Sequence, residues 1–200
     1  MIPVSPQLEP ARFDSDVRQK GLAYLSNKSL ELDQPLPKGT EINPYWRKCL
    51  DDLYTSYQGT CAYLAVYFER STGAASVDHF VAKSRLAGLA YEWSNYRLAC
   101  LEMNRSKNNF DDVLDPFTLQ RGWFHLDLAI SGRIFPNPDL SPADQDQVTN
   151  TINRLGMNDP IHQKMRIRHF QEYIQHEFTA DHFRKKSPFV WSEAHRQGLL

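Results

Sequence analysis

The sequence predicts an α+β fold, mostly helical, in which a small strand, strand, helix unit is surrounded by further helices and one extra β-hairpin. Three patterns predict it. Apolar residues recur at helical spacing over 43–59, and cap and stop signals frame further helices beyond Ser141. Two short strand candidates, ASVDHFV and NYRLAC, precede the helix candidate EMNRSKNNF. GWFHLDLAI alternates apolar with polar residues ahead of a Ser131-Gly132 turn.

In chain order, residues 1–42 are rich in proline and polar residues and predict a loosely packed N-terminal arm, with one helix near Val17 to Leu25 that Gly21 weakens. Residues 43–118 form the predicted core with its preceding helix. Asn43 can cap that helix, Pro44 suits its first position, and Trp46, Cys49, Leu50, Leu53 and Tyr57 share a face up to Gly59. CAYLAVYF, residues 61–68, is apolar but too short for its pattern to separate strand from buried helix. The strands at 75–81 and 95–100 and the helix at 102–110 complete the core. Residues 119–200 predict a hairpin and a helical C-terminal extension. Ser141 caps one helix that Gly156 ends, and Asp159-Pro160 starts a longer one running to about Phe178.

Composition narrows the function classes. With 23 Lys and Arg against 24 Asp and Glu in 200 residues, the net charge is −1, so any nucleic-acid surface must be local. Three scattered cysteines exclude a disulfide framework and fit a reducing compartment. No secretory leader and no membrane-length apolar run is read, which predicts a cytoplasmic protein without a membrane partner.

The chemistry concentrates in VDHFVAKS, residues 77–84. A carboxylate in a half-buried strand is costly unless a cation compensates it, so Asp78 calls for a metal or an Arg. Its neighbour His79 can act as a base provided its pKa stays near the working pH. Adjacent strand residues face opposite sides, so a bend is needed for both to reach one phosphate. Asn95 opens the second strand, and Asn104 and Lys107, three apart, share a helix face with Asn108. Packed on the strands, that helix would bring the Asn104 amide oxygen towards Asp78, giving a hard two-oxygen set suited to Mg²⁺.

VDHFVAKS, SNYRLAC and MNRSK together resemble the HNH endonucleases of the ββα-metal fold, over about residues 61–110. The resemblance implies a metal-dependent endonuclease acting on phosphodiester bonds, most plausibly in DNA, and leaving 5′-phosphate ends. It assigns Asp78 and Asn104 to the metal, His79 to water activation, Asn95 to bracing the loop and the His79 ring, and Lys107 to a phosphate contact. The amide in place of a third histidine favours Mg²⁺ or Mn²⁺. Many HNH proteins also carry a structural zinc on two Cys-x-x-Cys pairs. Here CAYL (Cys61 to Leu64) and CLEM (Cys100 to Met103) each lack the second cysteine, so no structural zinc is expected. The size and layout are similar to small HNH effectors of prokaryotic antiphage defence, such as the nuclease subunit of Septu-type systems, which implies an ATPase subunit as a partner.

For phosphate contacts the natural candidates are Lys83, Arg85, Arg97 and Arg105, beside Lys107. Tyr91, Trp93 and Tyr96 suit core packing better than base stacking. The basic residues Arg166, Arg168, Arg184, Lys185 and Lys186 predict a solvated face. His162, His169 and His176, two helical turns or about 10.5 Å apart, cannot share one ion and predict positions bordering an apolar stripe of Ile167, Phe170, Ile174 and Phe178. The alternative to an enzyme is a non-catalytic nucleic-acid- or partner-binding subunit that uses the ββα unit for docking.

Overall fold

The computed structural model describes all residues 1–200. It is α+β, with seven α-helices and two separate antiparallel two-stranded sheets. The chain divides into two compact units, one of residues 6–59 and 69–111, the other of 1–5, 60–68 and 112–200.

In the first unit, β1 (Ala75–His79) pairs antiparallel with β2 (Tyr96–Cys100), in a register that sets Asp78 opposite Arg97 and His79 opposite Tyr96. After β1 the chain bends at Phe80, whose N–H donates to the Asn95 carbonyl at 2.9 Å. Short 3-10 turns at Ala87–Tyr91 and Trp93–Asn95 carry it to β2. Asn95 therefore ends a turn and does not itself pair in the ladder. β2 runs straight into α3 (Leu101–Lys107), which packs on both strands and sends Met103 into the core.

The predicted loose arm is folded. A π-helical turn, Asp14–Arg18, leads into α1 (Gln19–Asn27), and Phe13, Val17 and Leu25 are buried. The Phe13 ring meets Trp93 and Tyr96 edge-on, at 5.5 and 5.7 Å. Gly21 lies where α1 crosses Tyr91. A Cβ there would come within 2.1 Å of that ring, so glycine is the residue that permits the close approach. The helix expected over 43–59 is shorter and begins as a 3-10 turn, Tyr45–Cys49, before α2 (Leu50–Ser56); no side chain caps it.

The second unit holds the hairpin β3 (Phe124–Leu126) and β4 (Ile134–Pro136), with Gly132 at φ +67° in the connecting loop. A Cβ at Gly132 would lie 2.6 Å from the Gln163 carbonyl oxygen, so the loop can approach its neighbour only with glycine. Ser141 caps α4 (Pro142–Arg154) by accepting from the Asp144 N–H at 3.2 Å. α5 spans Pro160–Ile174. Two further helices, α6 (Ala180–Lys186) and α7 (Pro188–Arg196), follow where the sequence pattern gave none. CAYLAVYF is neither strand nor helix: it makes a tight turn closed by one bridge between Thr60 and Tyr67.

α5 buries a different face from the one its pattern predicts. Ile174 is half exposed, whereas His162, Arg166 and His169 are buried. Arg166, read as part of a solvated basic face, donates to the carbonyls of Gly132 at 2.8 Å and Met157 at 2.7 Å. Buried guanidinium is tolerable because these carbonyls take up its N–H groups. No helix is long and apolar enough to cross a membrane.

Candidate functional site

The strand, bend and helix of the first unit enclose an open cleft of about 460 Å³. Asp78 and His79 at the end of β1, Asn104, Arg105 and Asn108 around α3, and Trp46 and Lys83 all line it. The opposite facing expected of strand neighbours does not keep Asp78 and His79 apart, because His79 is the last paired residue and the chain bends immediately after it.

Asp78 is 2% exposed, and its compensating charge is Lys107, 0% exposed, whose Nζ lies 3.3 Å from Oδ1. The same ammonium donates to the His79 carbonyl at 3.0 Å. Lys107 does not line the cleft, so the expected phosphate contact by Lys107 is corrected: it lies behind Asp78 and holds the carboxylate and the strand end. A buried carboxylate without this partner would carry the full cost of its desolvation.

The His79 imidazole stands edge-on to Trp46 at 4.8 Å and Tyr96 at 5.1 Å. Its Nε2 is 2.9 Å from the Ala90 carbonyl. A carbonyl can only accept, so Nε2 carries the proton and Nδ1 keeps its lone pair. Burial, then the charge of Lys83, lowers the imidazole pKa to about 3, with Lys107 adding to the effect, so the ring is neutral at physiological pH. The ring is thus in the unprotonated form a base requires, but its pKa lies well below the working pH, so the expectation of a pKa near neutrality is not met and burial makes the ring a weak proton acceptor.

Asn95 braces the loop between the strands. Its Oδ1 accepts from the Val81 N–H at 2.8 Å, and its Nδ2 donates to the carbonyls of Val81 and Leu89, both at 3.0 Å. The His79 ring is held one residue further on, by Ala90, whose carbonyl also accepts from the Tyr96 hydroxyl at 2.7 Å.

The Asn104 amide nitrogen donates to Ser76 Oγ at 3.0 Å and to the Val77 carbonyl at 3.2 Å. That orientation leaves Oδ1 without a protein hydrogen bond on a residue that lines the cleft. Asp78 and Asn104 thus offer hard oxygen donors, which fit Mg²⁺ or Mn²⁺ with water and phosphate supplying the remaining positions. No three His, Cys, Asp or Glu side chains converge as a ready metal cage, in this cleft or elsewhere.

Among the predicted phosphate contacts, Lys83 and Arg105 line the cleft. Arg85 is exposed and paired with Asp111. Arg97 is corrected: it is 3% exposed, donates to the Ser94 and Tyr96 carbonyls and lies over the Phe80 ring, so no phosphate can reach it. Tyr91, Trp93 and Tyr96 are buried in the core. The aromatic residue in the cleft is Trp46, which periodicity assigned to a helix's apolar face. Its neighbours Arg47 and Lys48 were the only sequence signal that this end of the segment faces water. Cys49, from the same segment, is buried and its thiol pushed up to about 12, an inert environment.

No protein family's sequence profile matches the chain, and no curated protein sequence matches it.

Proposed function

We propose that the protein is a metal-dependent endonuclease of the HNH kind, hydrolysing phosphodiester bonds in DNA. The observation that carries this is the convergence on one open cleft of the Asp78 carboxylate, the unengaged Asn104 Oδ1 and a neutral His79 with its Nδ1 lone pair free. The order of the acid and imidazole on the first strand, Asn95 on the turn before the second strand and Asn104 on the helix supports the same reading.

His79 Nδ1 takes the proton of the attacking water as its oxygen bonds to phosphorus. The P–O3′ bond breaks, and the 3′ oxygen leaves with a proton from solvent. A divalent cation held by Asp78 and Asn104 would neutralise charge on the nonbridging and departing oxygens. Lys107 fixes the carboxylate, Asn95 keeps the loop in place, and the Ala90 carbonyl sets the His79 tautomer. Lys83 and Arg105 are the cations placed to meet the backbone phosphates.

Incubation with supercoiled plasmid and a panel of divalent ions tests the proposal. Nicking and linearisation are expected with Mg²⁺ or Mn²⁺, with a loss of at least a hundredfold in His79→Ala while the melting temperature shows a folded protein. Absence of cleavage of DNA and RNA under every ion would leave a non-catalytic binding subunit as the better account.

A further inference from the structure

The two indoles of the first unit are used differently. Trp93 is buried and donates its N–H to the Gln7 carbonyl at 2.9 Å. Trp46 lines the cleft and makes no such bond. Its ring meets His79 edge-on at 4.8 Å, and the Lys83 ammonium lies 5.6 Å from its centroid. The base and the acid lie at the floor, 7% and 2% exposed.

We propose that Trp46 is a base-stacking platform, and that the substrate is an unpaired stretch of polynucleotide, not a regular duplex. This rests on the nuclease proposal and adds the substrate class to it. A phosphate attacked by a group so far down must bring its sugar and a neighbouring base with it. In a duplex that base is held in its stack and pair, and unstacking it costs a few kcal/mol. In an unpaired strand it is free to turn onto an aromatic face, a sequence-tolerant contact because every base has a π-face. Tyr91 packs at a tilt against Trp46, 5.9 Å between centroids. Lys83 lies over the ring on a flexible side chain, which a stacking base would displace towards its neighbouring phosphate, and Lys107 is committed to Asp78. One aromatic wall, flanking cations and a floor carrying acid, amide and imidazole suit a single extruded or unpaired nucleotide.

The test separates stacking from hydrolysis. Fluorescence anisotropy with the full-length protein in EDTA, so that nothing is cut, compares labelled unpaired strands, DNA and RNA, with matched duplexes. Binding of an unpaired strand of either sugar at least tenfold tighter than its duplex is expected. Trp46→Leu, which keeps bulk but removes the aromatic face, is expected to weaken unpaired binding about tenfold and leave duplex binding unchanged, with Trp46→Phe restoring most of the loss. Duplex bound as tightly as the unpaired strand, or Trp46→Leu binding like the wild type, would overturn the proposal. The strand comparison needs no change at Trp46, so it decides even if that variant fails to fold. Tight, Trp46-dependent binding without cleavage under any ion would refute hydrolysis but not stacking. Cleavage of duplex with full activity in Trp46→Leu would refute stacking but not hydrolysis.

Discussion

Lys107 and Asp78 form a buried ion pair, 3.3 Å apart, with side chains 0% and 2% exposed. Removing one member strands the other charge. Lys107→Met is expected to destabilise the protein by about 3–5 kcal/mol in denaturant titrations. Asp78→Asn combined with Lys107→Met should cost less than the two single changes summed, since the double variant leaves no orphan charge. Strict additivity would contradict the pairing. Of the groups the sequence singles out, Asp78, His79 and Asn104 line one cleft, whereas Asn95, expected to open the second strand, ends a turn and braces the loop beside it. The directions of the long basic side chains were not legible. Sequence reasoning gives Lys107 and Arg97 to phosphate and Arg166 to a solvated face, yet each is buried because backbone carbonyls or a carboxylate sit within reach. The partners of Lys107 and Arg166 come mainly from segments distant along the chain, and those of Arg97 from the 3-10 turn and the residue just before it, whose geometry no apolar pattern encodes.

At the scale of the element, α1 opposes propensity to packing. Glycine inside a helix costs about 1 kcal/mol relative to alanine, so propensity alone predicts that Gly21→Ala stabilises. The Cβ would meet Tyr91 ring atoms at 2.1 to 2.5 Å, and Tyr91 is fixed by the bond from its hydroxyl to the Asn43 carbonyl at 2.8 Å. Gly21→Ala is therefore expected to lower stability by about 1–3 kcal/mol, read as a fall in melting temperature, and a rise would contradict the packing. The strands β1 and β2, the hairpin and the Ser141 cap were legible because alternation and cap chemistry are local. The folding of the N-terminal segment was not, because its apolar residues Phe13, Val17 and Leu25 are few and become informative only against the rings of Trp93, Tyr91 and Tyr96. α6 and α7 escaped for a related reason: they are short, and Ser187-Pro188 punctuates the run between them.

For the whole molecule, the near-zero net charge gives no global field, so electrostatics acts through particular buried groups. His169 in the second unit is one. It shares a 2.5 Å hydrogen bond with Ser187 Oγ, and Lys186, Glu172 and Arg168 face it. Burial, then Lys186, lowers its pKa from 6.5 to about 4. Above pH 6.5 the ring is neutral folded or unfolded, and it adds no pH dependence. Between 6.5 and about 4 the unfolded chain takes up a proton that the folded one refuses, so stability falls as pH falls, by at most about 1.4 kcal/mol per pH unit from this group. Melting temperatures measured from pH 8 to 4.5 should decline below 6.5, and less steeply in His169→Asn; an identical slope in the variant would remove His169 as a cause. The division into units was not readable in the sequence, because 60–68 joins residues beyond 112 through contacts such as the Tyr67 N–H to the Lys186 carbonyl, 2.9 Å.

The most direct measurement is a crystal structure of the full chain soaked in Mn²⁺, with the ion located by its anomalous signal. A peak bonded to an Asp78 carboxylate oxygen and to Asn104 Oδ1, each at about 2.1 Å, with the His79 ring facing the same cleft, is the predicted result. Manganese found only at surface carboxylates, with no ion at Asp78 and Asn104 Oδ1 turned away from the cleft, would contradict it.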